Sequence, residues 1–149
     1  MGHVLMENRN GLAVDAGTTR VAELAERLTA IAMVDDVARP DGQRITLPAD
    51  RDYDTRDFVA DLRERGVMPH VAQNVSGRRS AIDTRPTRHP GYGASLCIRK
   101  RLEEVFGWVR SAAGRGKTRF RGLARVRFAF TLTIATYNLI SLPKLLQTE

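Results

Sequence analysis

Apolar and polar positions change register several times along the chain, and each register predicts an element. In HVLMENRNGLAVDA, residues 3 to 16, apolar residues flank Asn10-Gly11, a pair suited to a tight hairpin turn, and predict two short antiparallel strands. TTRVAELAERLTAIAMV then sets Val21, Leu24, Leu28 and Ile31 at helical spacing behind Thr18 or Thr19 as a cap. Glu23 and Glu26 fall on the other face, so the stretch predicts an amphipathic helix. ARPDGQR reads as a turn into a strand, ITLPAD. Asp54 or Thr55 caps a helix over TRDFVADLRERG, which Gly66 ends, and VMPHVAQN predicts one more strand.

Residues 76–93 are rich in Arg, Gly and Pro without apolar period and read as a basic loop, longer than compact domains carry without a functional reason. Residues 96–146 read as a basic helical part. LCIRKRLEEVFGWVRSAA places Ile98, Leu102, Val105 and Val109 on one face, and FAFTLTIATYNLISL predicts a final buried helix closed by Pro143. The order of elements predicts a mixed α/β layer architecture in one domain.

Composition narrows the class. Hydrophobic residues make up 42% of the 149 residues and charged ones 28%, a balance that supports a packed core. The single Cys97 has no internal disulfide partner, and His3, His70 and His89 lie too far apart for zinc spacing, so a reducing, cytoplasmic setting is expected. No secretory signal opens the chain, and the apolar stretch 128–142 falls short of the ~20 residues a membrane span needs. Charge is divided unequally. Residues 1–70 carry 9 Lys and Arg against 13 Asp and Glu, whereas residues 71–149 carry 15 against 4. The second half therefore suits a polyanion such as DNA, whose phosphates exchange counterions for cationic side chains. A solvated basic face is the plainer alternative.

One motif, LAVDAGTTR over 12–20, resembles the first phosphate loop of the sugar-kinase and actin-like ATPases. That resemblance implies close backbone approach at Gly17, hydrogen bonds from the threonines and a water-mediated magnesium contact at Asp15. Capping of the next helix is the alternative for Asp15 and the threonines.

A second constellation joins Asp50, at the end of ITLPAD, to Glu103. Arg99, Glu103, Phe106 and Arg110 are spaced by four, three and four residues, one strip along a helix face. Magnesium takes one or two carboxylates plus phosphate oxygens, and paired ions clamp the attacking and leaving oxygens of phosphoryl transfer. For Glu103 an ion pair with Arg99 within the helix is the alternative.

ADRDYDTRDFVADLRERGVMPHVAQNVSGRRSAIDTRPTRHPGY followed by IRKRLEEVFGWVR resembles the bacterial insertion-sequence DDE transposases of the insertion-sequence-five type, from Met1 to Leu146. The resemblance rests on Asp50, Asp52 and Tyr53, and on Arg99, Glu103 and Arg110. It implies an RNase H-like mixed sheet with flanking helices over residues 1–146, lacking its first strand. Asp50 would be the second catalytic acid and Glu103 the third, both metal ligands for Mg2+ or Mn2+. The first acid would lie upstream of Met1, leaving this chain a truncated and inactive fragment. Asp52 stands where the family has a small residue, and Leu96 where it has tyrosine. Transposon-end DNA is the implied partner, with Arg78, Arg79, Arg99, Arg110, Lys117, Arg119, Arg121, Arg125 and Arg127 as phosphate contacts. A homo-oligomer is compatible with this reading and a membrane partner is not. Two other classes stay open, a non-catalytic basic nucleic-acid-binding protein and an actin-like ATPase fragment.

Overall fold

The computed structural model describes residues 1–22, 24–37, 43–114 and 117–146. The turn expected over ARPDGQR falls largely outside the described residues, as does Glu23. The chain forms two compact units, Met1–Met33 with Arg101–Glu149, and Val34–Lys100.

In the first unit β1 (Gly2–Met6) and β2 (Ala13–Thr18) form the expected antiparallel hairpin, in register from Gly2 opposite Thr18 to Met6 opposite Ala13, with an irregularity between Leu5 and Met6. Its connection is wider than a two-residue turn. The Glu7 carboxylate accepts from the amides of Arg9, Asn10 and Leu12 at 2.7–3.2 Å, and Gly11 takes φ 74°, open to glycine without steric cost.

The long helix α6 (Leu123–Leu146) packs on β2. Asn138 holds it there by donating to Ala13 O at 2.8 Å and accepting from Ala13 N at 2.9 Å, which satisfies a backbone edge that would otherwise be bare. Between hairpin and helix, Val105 and Val109 of α5 (Arg101–Arg110) bury with Ile134 against Val4, Phe130 and Tyr137. Each such aliphatic side chain removed from water contributes about 1.5–3 kcal/mol. A Cβ on Gly2 would stand 2.8 Å from the tip of the Phe130 ring, so a larger residue there would require that ring to shift. Helix α6 does not close at Pro143. It continues to Leu146 with the proline inside its last turn, where one lost backbone bond is tolerated.

The helix expected over 18–34 forms later, as α1 (Ala25–Asp36), because Thr18 is still paired in β2. Val21 and Leu24 precede the helix and are exposed, as is Leu28, while Ile31, Met33 and Val34 are buried. Of the expected stripe of Val21, Leu24, Leu28 and Ile31, Ile31 is buried, and Met33 and Val34 join it.

In the second unit β3 (Ile45–Ala49) pairs in parallel with β4 (Val67–Val71), Ile45 opposite Val67 through Ala49 opposite Val71. The crossover is α2 (Arg56–Glu64). Thr55 is its cap, accepting from Phe58 N, and Phe58, Val59 and Leu62 are its buried side. Residues 76–93 are not loop throughout. A short helix α3 (Thr84–Thr87) and the start of α4 (Pro90–Ile98) occupy the second part, with Asp83 and His89 as caps and Pro90 in the first helical turn, where its missing N–H costs nothing. The helix expected from Leu96 onward is divided. Helix α4 ends at Ile98 with Lys100 N reaching only to Cys97 O, a tightened last turn, and α5 begins at Arg101.

Candidate active site

The acidic run after β3 sorts into distinct jobs. Asp50 follows the last strand residue and opens a single 3₁₀ turn, Arg51–Tyr53, in extended conformation at φ −70° and ψ 164°, without a side-chain capping bond. Its carboxylate faces the Arg99 guanidinium instead, accepting from Nη1 at 2.7 Å. The Asp50 side chain is 55% exposed and that of Arg99 21%, so the pair presents negative charge to solvent with a cation on its inner side. Arg99 Nε is buried without a hydrogen-bond partner.

Asp54 does not solvate or cap the next helix as expected. It is fully buried, and its two carboxylate oxygens accept from Asn74 N at 2.6 Å and Ala81 N at 2.8 Å. The backbone carbonyl of the same residue accepts from Arg78 Nη2 at 2.6 Å. Asp54 is thus the clamp that shapes the segment carrying Arg78 and Arg79. Asp57, exposed in the first turn of α2, fits the positive end of that helix.

Glu103 lies in the first turn of α5, exposed, in the first unit, whereas Asp50 belongs to the second. With Arg110, Phe106, Thr18 and Phe130 it lines a cavity of about 750 Å³ within the first unit. The expected strip from Arg99 to Arg110 is broken, since Arg99 caps α4 and Glu103 opens α5. Arg99 pairs with Asp50. Arg101, unremarked in the sequence, ties the start of α5 to the hairpin by donating to Asn8 O and Arg9 O at 3.2 and 3.3 Å.

The cations lie at the surface. Arg79, Lys117, Arg119, Arg121, Arg125 and Arg127 are exposed, and Arg110 is exposed while its Nε donates to Phe106 O. Lys117 and Arg119 flank Phe120 on a small concavity of about 270 Å³. Arg78, also exposed, and Arg99 each donate within the second unit, to Asp54 O and to the Asp50 carboxylate.

Carboxylate oxygens are the donors that magnesium or manganese prefers, and Asp50 already accommodates a positive group, so the donor chemistry suits a divalent ion. Among the described residues, no group of three or more His, Cys, Asp or Glu side chains is arranged to hold a metal.

Two further features went unread in the sequence. His70, in β4, is buried with its Nδ1 2.9 Å from Ser95 Oγ, and Tyr92 donates to Val71 O at 2.7 Å. Burial, with a smaller contribution from His89, lowers the His70 pKa. No carboxylate completes a catalytic relay in the bonds of this pair, and it closes the packing of α4 on the sheet. The DAGTT segment forms no phosphate loop. Residues 13–18 run as strand β2, with Gly17 opposite His3 and the Ala16 amide donating to the Asp15 carboxylate. The actin-like reading is thereby set aside.

Among the described residues no helix is long and apolar enough to cross a membrane. No curated protein and no solved structure matches the chain. A family model described as the transposase DDE domain matches residues 1–139, spanning β1 to most of α6 and taking in both Asp50 and Glu103. The chain belongs to the DDE transposase family.

Proposed function

We propose that the chain acts on transposon-end DNA as an RNase H-like DDE domain of the insertion-sequence-five type, with Asp50 and Glu103 as the second and third acids. The observation that carries this is Asp50 itself. It stands at the end of a parallel strand, performs no capping, and turns its carboxylate to a cation, in a chain that matches the family from residue 1 to 139. Asp50 and Glu103 would hold Mg2+ or Mn2+. A bound ion supplies charge stabilisation to the attacking and leaving oxygens of phosphoryl transfer. Arg99 orients the Asp50 carboxylate, and Arg78, Arg79, Arg110, Lys117, Arg119, Arg121, Arg125 and Arg127 position the DNA backbone without reading its sequence.

Two carboxylates underfill a two-ion site, and a misplacement of ~1 Å costs about 10²-fold in rate. We therefore expect the isolated chain to bind DNA and to leave it uncut. Purified protein is incubated with DNA bearing the inverted repeats that flank its gene, with Mg2+ or Mn2+, beside Asp50→Ala and Glu103→Ala. Salt-sensitive binding without cleavage is the expected result. Cleavage lost in each of the two variants would support both acids and refute the inactivity, and absence of DNA binding at low salt would refute the reading as a whole. A non-catalytic DNA-binding role is the second reading, favoured by the exposure of Arg119, Arg121, Arg125 and Arg127 together.

A further inference from the structure

Asp50 marks one end of the parallel strands β3 and β4. At the other end, Arg44 precedes β3, and Arg63 of α2 and Arg85 of α3 meet the start of β4. The three arginines line a concavity of about 370 Å³ with an apolar floor of Val67, Met68 and Pro86. Val67 and Pro86 are buried, and Met68 is 45% exposed beside them. Arg44 and Asp50 flank β3 and so stand about 20 Å apart at about 3.3 Å per residue. The concavity is therefore a place apart from the pair of Asp50 and Arg99.

Asp83 orders the cluster from behind. Its Oδ2 accepts from Arg63 Nη2 at 3.1 Å and from Arg85 Nε and Nη2 at 2.9 and 2.6 Å. A guanidinium carries more N–H groups than these bonds use, and all three arginines are exposed, so donors are left for a ligand. Three guanidinium groups against one carboxylate leave a charge of +2.

We propose that this concavity binds a phosphomonoester carried on a nucleoside. Planar guanidinium forks match phosphate oxygens in geometry as well as charge. A phosphomonoester carries about −1.5 to −2 at neutral pH, which the +2 of the cluster balances, whereas a carboxylate or a backbone phosphodiester brings a single negative charge. The floor decides the rest of the ligand. Val67, Met68 and Pro86 offer nothing to a bare ion and suit the sugar and base of a nucleotide, in a volume near the lower end of the ~300–1,000 Å³ of small-molecule sites. Two sources share this chemistry, a free nucleoside monophosphate and the 5′-phosphorylated end of a DNA strand.

Methyl-labelled methionine in the full chain gives a local readout. Of the four methionines only Met68 belongs to the second unit, while Met1, Met6 and Met33 belong to the first. Adenosine 5′-monophosphate should shift the Met68 resonance saturably, with a dissociation constant of about 1 mM or tighter, and adenosine should bind at least ~10-fold more weakly. Arg44→Gln and Arg63→Gln should each weaken the nucleotide by about 10-fold, the worth of a charge-assisted hydrogen bond. Asp83→Asn keeps a cap for α3 and withdraws the carboxylate that competes for Arg63 and Arg85. It should tighten binding about 3-fold, the scale of an exposed ion pair, a gain that misfolding cannot produce. A 5′-phosphorylated oligonucleotide that displaces the nucleotide at lower concentration than the nucleotide itself requires would make a DNA end the source, and the reverse order a free nucleotide. An unmoved Met68, equal binding of adenosine, or displacement by a 5′-hydroxyl oligonucleotide as readily as by its 5′-phosphorylated form would overturn the site.

Discussion

Replacing Asp54 by alanine removes the two acceptors that hold the Asn74 and Ala81 amides at 2.6 and 2.8 Å and leaves both amides facing a void in a fully buried site. Hydrogen bonds to a charged group contribute about 1.5–3 kcal/mol each, and an orphaned buried donor costs a comparable amount. The expected loss is therefore about 3–5 kcal/mol, a large part of the ~5–15 kcal/mol that separates folded from unfolded domains. Asp54→Asn keeps one acceptor but turns an amide donor toward the other N–H, and should cost somewhat less. Urea melts of both variants provide the measurement, with Asp57→Ala as control, expected to change stability by less than ~1 kcal/mol at the exposed start of α2. Hydrogen exchange should accelerate at Asn74 and Ala81 in the Asp54 variants. A loss below ~1 kcal/mol for Asp54→Ala would show that the carboxylate is not the clamp described.

Neutralising Arg119, Arg121, Arg125 and Arg127 together should flatten the dependence of DNA affinity on salt by about 0.9 in log–log slope for each phosphate that is no longer neutralised, and an unchanged slope would remove these residues from the interface. For His3 and His70, burial lowers the pKa below the ordinary 6.5. The unfolded chain takes up these protons first, so their contribution is intact above pH 6.5 and falls as pH drops through 6.5 toward the folded values, by up to ~1.4 kcal/mol per pH unit for each histidine. His70→Asn should remove its share of that acid sensitivity, and identical pH–stability curves for variant and parent would contradict the assignment.

Local signals carry much of the fold. Asn10-Gly11 marks the hairpin, Thr55 and Gly66 bound α2, and the β-branched run before Asp50 predicts β3. The failures share a cause in long-range structure. The partners of Asp54 lie 20 and 27 residues away, and nothing in DYDTRD distinguishes the buried aspartate from its solvated neighbours. Val21, Leu24 and Leu28 fit a helical period as well as Ile31 and Val34 do, but β2 extends through Thr18 and delays the helix. The strip from Arg99 to Arg110 requires one helix, whereas Arg99 turns to Asp50 and Arg101 to the hairpin. Asp50 itself is legible from its place at the strand end. Its ion pair with Arg99 spans 49 residues and lies beyond local reasoning.

We propose Asp50 and Glu103 as metal-holding acids, and Fe2+ in place of Mg2+ tests that proposal. With ascorbate and peroxide, radicals released at the ion cut the nearby backbone, and the fragments are read by mass spectrometry. Cuts are expected near residue 50 and near residue 103, suppressed by excess Mg2+, those near residue 50 lost in Asp50→Ala and those near residue 103 lost in Glu103→Ala. Cuts at neither place, or cuts that survive loss of the carboxylate at that place, would contradict it.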